Sequence, residues 1–130
     1  VSVQTDLVTF LLADAGISAL VGTRIYPGGQ LPQNPTLPAI TYKLISGNWI
    51  QTATGAAGLA GPRMQIDCWA ETYAGADALF ELVRLRINGK GDGGNIQGMF
   101  LEGNRDVSDP VLGVRGRSAD AFVWHEEATV

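Results

Sequence analysis

Residues 61–88 constrain the fold more than any other stretch, because a run with the period of a strand passes almost at once into a run with the period of a helix. From Arg63 to Trp69 the residues alternate, with Met64, Ile66 and Cys68 on one side and Arg63, Gln65 and Asp67 on the other. That is the pattern of a half-buried strand. Thr72 then stands where an N-cap is wanted, Asp77 and Glu81 lie early, Arg84 and Arg86 lie late, and Asn88-Gly89 offers a left-handed stop, so caps and charges agree with a helix dipole. Tyr73, Ala76, Leu79, Phe80, Val83 and Ile87 share one face, and Leu82 and Leu85 widen the stripe. The unit predicts the central strand of a sheet and the main helix that covers it.

A stripe of this kind must be buried against the strands that flank it. The expected fold class is therefore α+β: a mainly antiparallel β-sheet with the long helix and an N-terminal helix packed on one face. The strands are expected around Arg24, Ala39, Arg63, Asn95 and Arg117. A chain of 130 residues, 45% of them apolar, fits one domain over residues 1–130, large enough to bury about two thirds of its unfolded surface.

Residues 3–14 carry Val3, Leu7, Phe10 and Leu11 at helical spacing, with Ala15-Gly16 as a stop and one further helical turn over residues 17–21. Arg24, Ile25 and Tyr26 suit a short strand, and the loop after it holds four of the six prolines. Residues 39–46 alternate, with Ile40, Tyr42 and Leu44 facing one way. Residues 47–61 are expected to form a long loop between antiparallel neighbours, too poor in large side chains to pack on itself. Trp49 and Ile50 are costly to leave in water, whereas the tip around Thr52 and Thr54 is expected to stay mobile until a partner orders it. Two readings of Trp49 stand: it anchors a subunit contact, or it folds back over its own sheet.

A strand is expected over residues 95–102 with a bulge at Gly98, then a turn-rich segment with a weak strand over 103–116 in which Asp106 and Asp109 cap turns. The final strand, 117–126, sets Ala121 and Val123 on one face and Phe122 and Trp124 on the other. Such a strand is either covered on both sides or presents Phe122 and Trp124 to another molecule.

Acidic residues (13) outnumber Lys plus Arg (9), a formal charge of −4, which disfavours a nucleic-acid surface held by counterion release. The N-terminal stretch lacks a basic n-region, no run is long enough to span a bilayer, and the single cysteine, Cys68, has no disulfide partner, so the expected compartment of synthesis is a reducing cytoplasm and no membrane is involved. Gly89, Gly91 and Gly94 fit G-x-G-x-x-G only in letter, since they leave a helix instead of opening one. Cys68 and His125, the only histidine, could in principle pair as nucleophile and base, but Cys68 shares its face with Met64 and Ile66, where a buried hydrophobe is the commoner role. No catalytic, cofactor or metal set stands out, and the expectation is a protein that is not an enzyme and carries no cofactor.

Several stretches together resemble the tail-completion, or tail-terminator, proteins of long-tailed bacteriophages, prophages and gene transfer agents. They are Leu11-Leu12-Ala13-Asp14, Val21-Gly22-Thr23-Arg24-Ile25-Tyr26-Pro27, Leu37-Pro38-Ala39-Ile40-Thr41-Tyr42, Ile45-Ser46-Gly47, Arg63-Met64-Gln65-Ile66-Asp67-Cys68-Trp69-Ala70, and Asp120-Ala121-Phe122-Val123-Trp124-His125. The resemblance implies a structural virion protein at the tail-neck junction, made in the host bacterial cytoplasm. It implies a homohexameric ring that caps the tail tube protein, stops its polymerisation and offers a joining surface to the head-tail connector or stopper protein. DNA would pass through the channel without specific binding, and the acidic balance suits that. Trp49, Ile50, Thr52, Thr54, Phe122 and Trp124 are the expected interface residues. Two rivals remain: another neck or head-completion protein of the same particle, and a small ligand-binding module or enzyme using Cys68 and His125.

Overall fold

Alternation in the sequence becomes pairing along two long β-hairpins laid side by side. The computed structural model describes residues 3–46, 49–52, 55–88, 96–109 and 113–126. In chain order the elements are α1 (Val3–Leu12), α2 (Ala15–Val21), β1 (Ile25–Pro27), β2 (Ala39–Ser46), β3 (Trp49–Thr52), β4 (Gly55–Ala60), β5 (Arg63–Ala70), α3 (Tyr73–Ile87), β6 (Ile96–Asp109) and β7 (Val114–Glu126).

In the first hairpin β2 pairs antiparallel with β5, from Ala39↔Trp69 to Ser46↔Arg63, and β3 with β4 carry the same ladder outward from Trp49↔Ala60 to Thr52↔Gly55. The second hairpin is β6 with β7, from Ile96↔His125 to Asp109↔Val114. They join where β5 pairs with β7 from Ala70↔Arg115 to Arg63↔Phe122, and β4 extends the seam through Ala60↔His125 and Leu59↔Glu126. Pro62 interrupts the β4–β5 run because it has no N–H to give the ladder, but its carbonyl still accepts from Val123 N–H at 3.0 Å. β1 adds in parallel to β2. The sheet is mixed and mainly antiparallel, with β5 and β7 at its centre, and the class is α+β as expected.

All three helices lie on the face that carries Ile40, Met64, Ile66, Cys68, Met99, Ala119, Ala121 and Val123. Leu7, Leu11, Ile17, Val21, Leu79, Phe80, Val83 and Ile87 close over these residues in one core. Thr72 caps α3, its hydroxyl accepting from Gly75 N–H at 3.1 Å, and Asp14 caps α2 by accepting from Ile17 N–H at 3.1 Å. Asp14 therefore starts a second helix instead of belonging to the first.

Five expectations need correction. Within the segment expected as a loop, residues 49–52 and 55–60 are strands: β3 and β4 continue the register of β2 and β5, β4 is held by the end of β7 and β3 by β4, so backbone pairing does what their small side chains cannot. The 103–116 segment is mostly strand, because Gly103 at φ +65° absorbs the bulge between Glu102 and Asn104 and lets β6 run on to Asp109. Asn88 is not left-handed but ends α3 in extended backbone, φ −63° and ψ 119°, and its side chain turns to accept Leu101 N–H at 3.1 Å, while Gly89 lies outside the described residues. Tyr73 is 46% and Leu85 60% exposed, so neither belongs to the buried stripe. Asp106 caps no turn; it sits on β6 and accepts a hydrogen bond from the Tyr73 hydroxyl.

Candidate functional site

The face of the sheet away from the helices is the surface that the fold leaves for contact, and its side chains follow from the register. Thr41, Asp67 and Ser118 share one row, Gln65, Asp120 and Glu102 the next, and Arg63, Phe122 and Phe100 the one after. Much of this face is closed by the chain itself. Trp69 Nε1 donates to Thr41 Oγ1 at 2.9 Å, and Thr41 Oγ1 lies 3.4 Å from Asp67 Oδ2, to which it donates. Gln65 Nε2 donates to both Asp67 oxygens at 3.1 Å. Thr41, Asp67 and Ser118 are buried although no helix covers them.

On this face two tryptophans lie over glycines, Trp69 beside Thr41 and Trp124 at the far end of the seam. A methyl group built at Gly116 would stand 2.9 Å from Trp69 Cε3, and one built at Gly61 would stand 2.8 Å from Trp124 Cζ3. Each ring thus occupies the space that a side chain would need, the use that strands make of an interior glycine. Arg63 Nε donates to Asp120 Oδ2 at 3.0 Å, Arg105 Nη2 lies 3.6 Å from the other oxygen, and the Arg63 guanidinium sits 5.3 Å from the Phe122 ring centre. The Asp120 hydrogen bond and charge push the Arg63 pKa up from its ordinary value.

Of the expected interface residues, Phe122 is half-buried beneath Arg63, and Trp124 is 40% exposed on the same face. β7 is central and its inner face is buried, and its outer face is exposed at Trp124. Trp49, Ile50 and Thr52 lie on β3, of which only the backbone is described, and Thr54 lies outside the described residues. The structure therefore leaves both readings of Trp49 open.

On the helix side lies a cluster that the sequence reading missed. Arg117 donates to Asp77 and Asn104, approaches Asp106 at 3.5 Å, and lies 4.9 Å from the Phe80 ring centre. Hydrogen bonding to Asp106 is the main cause that raises the Tyr73 pKa. With Arg117 on β7 and its partners on α3 and β6, the cluster draws on three separate elements, so spacing along the chain carries no trace of it. The cluster ties the start of α3 to the β6–β7 hairpin.

Cys68 and His125 are not brought together. Cys68 pairs with Arg117 and His125 with Ala60, which separates them along β7 by roughly 26 Å at strand rise. Cys68 is fully buried, and burial pushes its thiol pKa well up, whereas a nucleophilic thiolate needs it lowered. Among the described residues no group of three or more His, Cys, Asp or Glu could hold a metal ion. Two open clefts, of about 550 Å³ beside Tyr42 and Lys43 and about 320 Å³ beside Leu37 and Glu71, bring together no set of catalytic groups. No single helix among the described residues is long and apolar enough to cross a membrane.

A mixed, mainly antiparallel sheet covered by helices on one side, with a partly aromatic outer face, is an α+β arrangement. The family model described as Tail completion protein gp17 matches residues 5–121, and the chain belongs to that family of structural phage tail proteins. Membership makes it a virion component. Among solved structures, a chain of a native gene transfer agent virion shares the fold with a TM-score of 0.70 at 22% identity, over 96% of this chain and 95% of that one. No curated protein matches.

Proposed function

We propose that this protein terminates the tail: as a homohexameric ring it caps the tail tube protein, stops further addition, and presents its other side to the head-tail connector or stopper protein at the tail-neck junction. The family match over residues 5–121 carries the reading. It acts by occupying surface and not by catalysis or through a cofactor. A ring must bind the exposed end of the tube, which is a heterologous contact that would propagate indefinitely unless something blocks it. DNA slides through the channel without specific binding, consistent with a net charge of −4.

Removal of the protein is expected to leave DNA-filled heads unjoined to tails, with irregular or overlong tubes in electron micrographs. Purified protein added to such tails is expected to restore joining, and the folded Cys68→Ser and His125→Gln variants to do so equally. Tails of normal length and attachment without the protein would reject the reading.

A further inference from the structure

We infer that neighbouring copies stack face to back: the outer sheet face of one copy, at Phe100, Glu102 and Arg105, lies on the exposed ridge of α3 in the next, at Asp77, Glu81, Arg84 and Leu85. The inference rests on the ring proposed above and specifies its contact. α3 packs on β5 and β7 from the core side, so its exposed ridge and the outer sheet face point in opposite directions. A ring needs a heterologous contact, one surface against a different one, and two surfaces on opposite sides of the molecule let every copy use both.

Each surface holds a large apolar residue that its own chain leaves in water, Phe100 beside Trp124 on the sheet and Leu85 on α3. The charges around them are opposite in sign. On the outer face Arg63 and Arg105 share one buried carboxylate, Asp120, and Lys43 is exposed near them, against Glu102 as an exposed acid. On the helix side Asp77 and Asp106 share one cation, Arg117, which is less exposed than either, and Glu81 pairs with Arg84. Surplus positive charge thus faces surplus negative charge, which fixes partner and register. The order along the two surfaces agrees as well. Asp77 meets Arg117, which pairs with Cys68, and Asn88 meets Leu101 in the row of Met64, so α3 and the rows of the sheet share an origin and a direction. From that origin Glu81, Arg84 and Leu85 lie about 6, 10 and 12 Å along α3 at helix rise. Arg105, Glu102 and Phe100, in the rows of Asp67, Gln65 and Arg63, lie about 3, 10 and 17 Å along the sheet at strand rise. Rotation about a ring axis keeps these heights, so Arg105 falls between Asp77 and Glu81, Glu102 meets Arg84, and Phe100 comes nearest Leu85.

Crosslinking tests this. Leu85→Cys and Phe100→Cys, both at exposed positions, are mixed as separate chains and treated with a short bis-maleimide; buried Cys68 stays. Leu20→Cys, also exposed but beside Thr72 at the other end of α3, replaces Leu85→Cys as the control. Protein assembled in solution or on tail ends is expected to link Leu85→Cys to Phe100→Cys and not Leu20→Cys to Phe100→Cys. A chain carrying both Leu85→Cys and Phe100→Cys should give a ladder on denaturing gels that ends at the ring size. Arg105→Glu is expected to lose assembly, and Arg105→Glu combined with Glu81→Arg to regain it, each with native-like melting. Assembly without the Leu85-to-Phe100 link, links between like positions in a single variant, or a folded double charge variant that stays unassembled overturns this contact while leaving the ring reading intact. Native protein that stays monomeric in solution and on tail ends overturns both.

Discussion

At Gly116 a methyl group would meet Trp69 Cε3 and Val107 Cγ2 at 2.9 Å and the Cys68 carbonyl oxygen at 3.0 Å. The last of these is backbone in the middle of β5 and cannot swing aside, so Gly116→Ala is expected to destabilise by about 1–3 kcal/mol, the usual range for overpacking. Gly98→Ala, with open space around it, should change stability by less than about 0.5 kcal/mol. Urea denaturation of both variants checks the pair. Cys68 gives a pH signature. Its folded pKa is raised by burial, and secondarily by Asp67, above the ordinary 9.0, so the unfolded chain releases the proton first. Stability tied to the neutral thiol is fully present below the unfolded value and is lost as pH rises beyond it. Melting temperature is expected to fall more steeply above about pH 9 in the native protein than in Cys68→Ala, and the folded thiol should resist alkylation at neutral pH.

At the scale of the element, α3 separates positions that its sequence groups together. Phe80 is 3% exposed in the core and Leu85 60% exposed, although the sequence places both in one apolar stripe. Phe80→Asp is expected to prevent folding, because an unpaired carboxylate enters the core, whereas Leu85→Asp should leave circular dichroism and melting unchanged. The difference arises because the helix is docked at one angle, with Arg86 lying 3.8 Å from the Phe10 ring centre and donating to the Phe10 carbonyl at 3.0 Å, which leaves the Leu85 side to solvent. A one-dimensional stripe records apolarity but not which part of it meets a neighbour.

For the whole molecule, the β3–β4 arm is separable from the fold. β2 pairs with β5, β5 with β7 and β7 with β6 without using β3 or β4. Replacing residues 48–60 with a short turn is therefore expected to give a folded protein with near-native melting that fails to restore tail joining. Restored joining would remove the arm from any role in assembly. Local chemistry alone determined the strand–helix unit at 61–88, the Thr72 cap, the burial of Cys68 and the one-sided α+β class, since periods, caps and face polarity act between near neighbours in sequence. Only the tertiary structure decided that residues 49–52 and 55–60 become strands, that Asp106 and Asp77 meet at Arg117, and that Trp69 and Trp124 close over Gly116 and Gly61. Each of these depends on which strands lie side by side, and a pairing partner distant along the chain leaves no mark on the sequence around a residue.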